Sequence, residues 1–452
     1  MTAAPSARSH WLTADRLLLV GVLLAALAVR GGILCVMRDR LADDPDAYRE
    51  IAENLLLHGV FGLGKEGEVR PTAYRPPLYP IVLSKFAAAG TKIAPVKVAL
   101  LHLALGVATV WLTWLTARRL LPDAGPWPAA LAALLVACDP ILLNQSALVM
   151  TETLATSLAI LALWQLARFD AHRTWWNAGL AGGAIALAAL CRPTFLPWLG
   201  LVGMGILLVR GGNVGLQNSS AAGSIWSSLG WRLVNAAALA IVAAGVLSPW
   251  VIRNQHVFQQ PIVATTHGGY TLFLGNNPQF YKCLASDKSG LPWDAEADAA
   301  FQMSILRFHW EETPAVPLAG ELTMDSGFKD AARQTMLADP LGCLRASQYR
   351  VWQLWSPLPH RLTANESTAR MLLRYVTAVW YCGVYLLAAA GIWRLRDKLL
   401  QPPWVWGVLL CVTFTAVHTL YWCNLRMRAP LMPWVAIIAA AGITRSAGPR
   451  PR

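Results

Sequence analysis

LLLVGVLLAALAVRGGILCVM, residues 17–37, runs directly into RDRLADDPDAY, residues 38–48. The first stretch is apolar over the length a hydrocarbon core demands, roughly 17–25 residues of helix. It is too long for the apolar region of a secretory signal, and no small-residue cleavage site follows it, so a retained membrane helix is expected. The second stretch gathers Asp39, Asp43, Asp44 and Asp46 just beyond that helix. Acid concentrated at a membrane surface is costly unless it is solvated or used.

The rest of the chain repeats the apolar theme. Of 452 residues, 56% are hydrophobic and 14% charged, and the mean hydropathy is +0.43, well outside the soluble average. Further runs lie near 97–117, 128–146, 152–168, 176–191, 193–210, 232–250, 372–393, 403–423 and 429–444. The expected fold class is an all-α polytopic membrane protein of about ten transmembrane helices, with interfacial helices in the first outside loop and a small outside domain. At Arg192-Pro193 the run from 176 to 210 reads either as two helices or as one kinked helix.

The net charge of +13 suggests nucleic acid at first sight, but Lys and Arg are not clustered on one segment. Arg8 and Arg16, Arg118 and Arg119, Arg168 and Arg173, Arg210 and Arg232, Arg394, Arg396 and Lys398, and the C-terminal arginines all fall on one side of the helical layout. By the positive-inside rule that side is cytoplasmic, with both termini inside. No nucleic-acid partner is expected. Most of the eight cysteines fall in predicted spans, where a thiol acts as a small apolar group. Cys283 and Cys343 share an outside segment and are candidates for a disulfide.

This topology divides the chain into a membrane core over 1–250 that includes the first outside loop 38–96, an outside segment over 251–371, and C-terminal spans over 372–452. Gly211 to Gly230 reads as a flexible linker. No internal repeat of the transporter kind is visible. In the first loop, apolar positions 48, 51, 52 and 55 predict an amphipathic helix over Tyr48–Leu57 lying in the interface and ended by His58-Gly59. Tyr74-Arg75-Pro76-Pro77-Leu78-Tyr79-Pro80 is expected to be extended, because residues before proline avoid the helical region.

Asp44-Pro45 has the pattern of an N-cap followed by proline at N1, with Asp46 at N2. Capping and catalysis are compatible readings, since a cap fixes a carboxylate in place. Glu152 opens the fourth span on the same outside face, with Thr151 as its expected cap, and Asp139-Pro140 reads as structural. Arg75, Arg192, Arg253, Arg426 and Arg428 also fall on that face, against the positive-inside trend. Each alone can be read as a side chain reaching lipid headgroups; together with carboxylates they suit a phosphate or pyrophosphate, which guanidinium forks match.

These motifs, in order, resemble a known family. They are Asp44-Pro45-Asp46-Ala47-Tyr48, Arg75-Pro76-Pro77-Leu78-Tyr79-Pro80, Thr151-Glu152-Thr153-Leu154, Arg192-Pro193-Thr194, Pro249-Trp250-Val251-Ile252-Arg253-Asn254, Gly275-Asn276-Asn277 and Arg426-Met427-Arg428-Ala429-Pro430. The chain resembles the GT-C glycosyltransferases, in the bacterial branch related to protein O-mannosyltransferases and the lipid A aminoarabinose transferase. The resemblance implies a GT-C-like fold in a bacterial cytoplasmic membrane, with a periplasmic site. It implies transfer of a sugar from a polyprenyl-phosphate donor to a lipid, glycan or protein acceptor. Asp44 stands where relatives have their base, with Asp46 as substitute, and Glu152 where they have a second acid. Arg75 replaces a lysine. The double-tryptophan-Asp signature of oligosaccharyltransferases is absent, Trp175-Trp176-Asn177 lacking the acid.

The implied roles are Asp44 or Asp46 as base, Glu152 as an orienting acid, and Arg75, Arg192, Arg253 and Arg426 or Arg428 as phosphate binders, with Tyr48 and Tyr79 in the substrate pocket. No motif calls for a cofactor, and a divalent metal stays open, with His58 and His267 as metal or acceptor contacts or as solvated loop residues. Trp293, Trp310, Trp352 and Trp355 belong to a segment expected to cover the site. The rivals are a lipid-linked oligosaccharide flippase, polymerase or other transporter, and a membrane scaffold. A transporter would place ionisable residues along a path at mid-membrane.

Overall fold

A computed structural model describes residues 7–64, 67–86, 92–208, 221–286, 301–303, 305, 317–361 and 366–444. The helices in chain order are α1 (Ala7–Val36), α2 (Tyr48–His58), α3 (Leu78–Lys85), α4 (Pro95–Leu120), α5 (Trp127–Ala137), α6 (Pro140–Ser146), α7 (Glu152–Ala171), α8 (Trp175–Cys191) and α9 (Phe195–Leu208). They continue with α10 (Ala221–Phe258), α11 (Gly268–Gly275), α12 (Pro278–Ala285), α13 (Pro317–Ala338), α14 (Pro340–Trp355), α15 (Thr368–Leu395), α16 (Val405–Val417) and α17 (Met432–Gly442). A 3-10 helix, Leu425–Leu431, leads into α17. The described strands are Gly62–Leu63 and Arg70–Pro71, a two-rung antiparallel ladder.

Among the described residues four helices are long and apolar enough to cross a membrane: Asp15–Val36 of α1, α4, Leu229–Phe258 of α10, and α15. A fifth counts if α5 and α6, bent by 49° at Asp139-Pro140, form one broken span. The bend is built in: Asp139 is the N-cap of α6, its carboxylate accepting from Leu142 N at 2.9 Å, and Pro140 fills N1. The other apolar runs are also helical, but shorter. Large apolar side chains such as Leu17, Leu24, Val379 and Leu386 are exposed on α1 and α15, as a lipid-facing surface requires. Inside, glycines set the close approaches. A Cβ on Gly182 would strike the Leu239 carbonyl of α10, and one on Gly391 would strike Ile438 O of α17, the small-residue packing typical of membrane helices.

The run through Arg192-Pro193 is two helices. Arg192 caps α8 in an extended conformation, the conformation that a following proline favours. Of the arginines expected to be cytoplasmic, Arg118 pairs with Asp15 of α1 at 3.0 Å, Arg119 donates to Ala167 O at 3.1 Å, and the Arg173 guanidinium lies 5.8 Å from the Trp231 ring.

Four expectations need correction. The linker reading fails beyond residue 220, because the backbone is already helical at the start of α10; 209–220 lie outside the described residues. The stretch 74–80 is not extended throughout. α3 begins at Leu78 with Pro77 as its N-cap, and Pro80 falls in the first turn, where proline is tolerated. Cys283 and Cys343 are both free thiols. Finally, Asp44 is not the N-cap of α2: Ala47 is, in a left-handed conformation with φ 58°.

Candidate active site

The loop after α1 is held from all sides. Arg49 Nη1 donates to Ala42 O at 2.8 Å. Asn54 is buried and donates to Gly62 O at 3.0 Å and Gly64 O at 3.2 Å. Glu50 accepts from Gly64 N at 2.9 Å, and Glu53 from Ile93 N at 2.8 Å. The apolar face of α2 packs into the core, with Ile51 beside Phe61, Leu190 and Trp250. The turn made by Ala47 folds the acidic string back over the start of α2. Asp44 Oδ2 there accepts from Glu50 N at 2.9 Å, so Asp44 still satisfies a first-turn amide although it lies outside the cap position. Its Oδ1 is buried and has no hydrogen-bond partner.

Asp46 is engaged differently. Its Oδ1 receives Arg75 Nη2 at 2.7 Å and its carbonyl receives Arg75 Nε at 2.9 Å. The Arg75 guanidinium also stands 5.4 Å from the Tyr48 ring and 4.5 Å from the Tyr74 ring. Tyr48 meets Tyr79 edge-on at 5.4 Å. The Tyr79 hydroxyl lies 2.8 Å from His102 Nε2, and His102 Nδ1 lies 2.8 Å from Ser146 O. A carbonyl only accepts, so the imidazole proton is on Nδ1 and Tyr79 donates to Nε2. Tyr79 is thus a buried strut tying α3 to α4, without an exposed hydroxyl. Burial pushes the Tyr48 phenol upward and keeps it neutral, with Arg75 pulling the other way.

The second centre sits where α7 begins, α8 ends and the 3-10 helix passes. Glu152 is 2% exposed. Its Oε1 faces Arg192 Nη1 at 2.9 Å and Arg426 Nε at 3.6 Å, and its Oε2 is buried without a partner. Thr151 caps α7 by position, with no side-chain bond. Arg192 Nη2 and Arg426 Nη1 rest against the sulfurs of Met427 and Met150, weak acceptors that leave those N–H groups with donor capacity. The two centres are neighbours, since the charges of Glu152 and Arg192 both act on the Tyr48 phenol. One end of the bundle therefore brings together Asp44, Asp46, Tyr48, Arg75, Glu152, Arg192 and Arg426.

Two of the expected phosphate binders spend donors on backbone carbonyls. Arg253 Nη1 donates to Thr72 O and Asn254 Oδ1, each at 2.8 Å, and its Nη2 to Phe61 O at 2.9 Å, with Phe61, Trp250 and Phe258 around it. Arg428 is fully buried; its Nη1 donates to Leu354 O at 3.0 Å and Ser356 O at 2.6 Å, and it covers the Tyr381 ring at 4.1 Å. Arg253 ties chain segments together, and Arg428 does so through Nη1 while its buried Nε and Nη2 have no hydrogen-bond partner. Trp352 is exposed, and Trp355 Nε1 donates to Thr415 Oγ1 at 3.1 Å. Trp293 and Trp310 lie outside the described residues.

Three groups on this end escaped the sequence reading or were underrated by it. Glu321 of α13 accepts from Ala73 N and Thr72 Oγ1, each at 2.9 Å, and from the Thr266 hydroxyl. Arg350 of α14 is buried and donates to Gly275 O, Asn276 Oδ1 and Thr419 O, which gives the Gly275-Asn276 motif a structural purpose. Neither carries a local signal, because their partners are far away in sequence. His267 is no solvated loop residue. It meets Tyr74 edge-on at 4.3 Å and stacks on Tyr270 at 4.9 Å, its Nδ1 is buried and unpartnered, and burial together with Arg75 lowers its pKa to about 3. His58, by contrast, is exposed. Among the described residues no three His, Cys, Asp or Glu side chains converge as a metal-ligand set. Asp46 is moreover committed to Arg75.

The fold that carries these groups is similar to that of a solved membrane oligosaccharyltransferase. A family model described as dolichyl-phosphate-mannose-protein mannosyltransferase matches residues 74–243. Among solved structures, the chain is similar to the archaeal oligosaccharyltransferase AglB from Archaeoglobus fulgidus, in complex with an inhibitory peptide and a dolichol-phosphate. The identity is 15% and the TM-score 0.50, over 94% of this chain and 50% of that one. It is also similar to the S. cerevisiae protein O-mannosyltransferase Pmt1-Pmt2 complex bound to the sugar donor (16%, TM-score 0.40, 61% and 37% covered). ArnT from Cupriavidus metallidurans bound to undecaprenyl phosphate matches at 15% and TM-score 0.37, with 97% and 77% covered. The chain spans about half the length of the AglB structure. No curated protein matches the sequence.

Proposed function

We propose that this protein is a glycosyltransferase that moves a sugar from a polyprenyl-phosphate carrier to a lipid, glycan or protein acceptor. We further infer that it works in a bacterial cytoplasmic membrane, with both termini in the cytoplasm and the site on the periplasmic face. One observation carries the reading: a carboxylate with an unpartnered oxygen, Asp44, shares one end of the bundle with a buried glutamate that faces two arginines still able to donate. The family match over 74–243, whose description names a dolichyl-phosphate donor, supports the same carrier chemistry.

In this mechanism Asp44 Oδ1 takes the proton from the acceptor nucleophile. The nucleophile forms its bond to the anomeric carbon as the bond from that carbon to the carrier phosphate oxygen breaks. The phosphate leaves as an anion, and Arg192 and Arg426 meet the charge that grows on it. Glu152 holds those two guanidiniums in place before the donor arrives, which removes a reorganisation cost from the reaction. Asp46 serves by holding Arg75 over the Tyr48 ring and is the weaker candidate for base, since its carboxylate is already spent on a guanidinium.

The test has two parts. Mass spectrometry of lipid copurifying with the protein is expected to find a polyprenyl phosphate or its glycoside. Replacing Asp44 and Asp46 together by Asn is expected to abolish transfer in a reconstituted assay while that lipid still copurifies. Full turnover by the double variant would end the base assignment, and a protein that carries only bulk phospholipid would end the carrier assignment.

A further inference from the structure

Arg30 lies well inside α1, yet it is 2% exposed and turned into the bundle rather than toward lipid or headgroups. The fold makes room for it. A Cβ on Gly106 of α4 would stand 2.8 Å from Arg30 Nη1 and 2.9 Å from its Cδ, so the bare glycine backbone is the seat of the guanidinium. Nη2 donates to Val136 O in the last turn of α5 at 2.8 Å, a favourable place for a cation. Nε is buried and has no partner.

Beside it is a cavity of about 10 Å³ lined by Arg30, Gly106, Thr109, Leu142, Gln145, Thr153 and Thr156. That is about the least space that holds one water. Two more of its lining side chains carry buried, unpartnered polar atoms: Gln145 Oε1 and Thr153 Oγ1. Both residues are more than nine-tenths buried. Thr109 and Thr156 already donate to carbonyls of their own helices, at 2.8 Å and 2.7 Å. The buried unpartnered atoms around the cavity thus include one donor from Arg30, one acceptor from Gln145, and one hydroxyl able to act either way.

We propose that a single ordered water occupies this cavity, accepting from Arg30 Nε, donating to Gln145 Oε1 and bonding Thr153 Oγ1, and that Arg30 thereby acts as a positioning residue for Glu152. One water supplies the required one acceptance and two further bonds. A monatomic anion fits less well because Gln145 presents an acceptor. The cavity lies under the turn from α6 to α7, which carries Met150 and Glu152, and the Thr156 hydroxyl on its wall binds Glu152 O. The water links that turn to α1, and through Glu152 to Arg192 and Arg426. The role given to Glu152 rests on the glycosyltransferase reading; the water does not.

The experiment is a density map of the full chain in lipid nanodiscs, at a resolution that shows ordered waters, for the native protein, Thr153→Val and Thr153→Ser. Crystals grown in bromide supply an anomalous signal as a check. A peak within hydrogen-bond reach of all three atoms is expected in the native and Thr153→Ser proteins. In Thr153→Val it is expected to be lost, with a longer Glu152–Arg192 separation. If the native protein transfers sugar, Thr153→Val is expected to lower kcat about tenfold at unchanged donor KM, and Thr153→Ser to restore it. A cavity without density, or a peak with bromide anomalous signal, overturns the water. A Glu152–Arg192 pair that is unmoved when the peak is lost overturns the positioning role. An inactive native protein with the water in place would count against the transferase reading alone.

Discussion

Glu152 opens α7 and Glu321 lies in the second turn of α13, near the same end of the bundle, and the two glutamates do opposite things. Glu321 has given away its acceptor capacity: one oxygen serves Ala73 N and Thr266, the other Thr72. Glu152 keeps one buried oxygen unpartnered and faces two guanidiniums whose remaining donors touch only sulfur. The same contrast separates Arg253, with its bonds to carbonyls, from Arg426. Buried polar groups that are fully satisfied hold a fold together, whereas unsatisfied ones that converge mark where something else is meant to bind.

The comparison breaks most readily at Asp44. Asp44→Asn is expected to lower turnover about 10²–10⁴-fold, the range of a positioned general base, with donor still bound; a loss under threefold in a reconstituted transfer assay would move the base elsewhere. Glu152→Gln leaves two guanidiniums without their counter-charge. It is expected to cost ~3–5 kcal/mol of stability, as breaking a buried pair does, seen as a large drop in melting temperature and loss of copurified lipid phosphate. Arg253→Met is expected to cost ~2 kcal/mol through unpaired carbonyls. A donor KM changed more than threefold in that variant would return Arg253 to the phosphate site. Glu321→Gln is expected to cost ~1 kcal/mol, read as faster hydrogen exchange at residues 72–74.

The smallest effect concerns pH. His267 has its pKa lowered to about 3 in the folded protein, from an ordinary value of 6.5, mainly by burial. Its neutral form is the one the fold accepts. The associated stability is present above pH 6.5 and declines as pH falls from there toward 3, because only the unfolded chain gains the proton. His267→Gln is expected to flatten thermal stability between pH 6.5 and 5. An unchanged slope would show His267 to be solvated after all.

Much of this was legible in sequence where the cause is local. Proline after Arg192 breaks the apolar run whatever else is nearby, and Gly59 ends α2 in a left-handed turn with φ 67°. Asp139-Pro140 caps and bends the α5–α6 pair on the same grounds. The gathering of Asp44, Asp46, Glu152, Arg192 and Arg426 was also foreseeable, because topology alone puts their segments on one face. What stayed hidden is decided by distant partners. Arg253 looks identical to Arg426 as a residue type, but its carbonyl acceptors lie 181 and 192 residues away, in a loop whose path no local rule gives. The N-cap of α2 was misplaced because a left-handed alanine is not a preference that can be read from composition.

The bond from Thr72 to Glu321 spans 249 residues. Synthesis runs from the N-terminus at about 5–20 residues per second, so on the order of tens of seconds separate the two partners. Throughout that interval the acidic loop waits without its fastener. The nascent chain can therefore enter the membrane with its first helices in place while Thr72 still lacks its partner, which arrives only once residue 321 has been made.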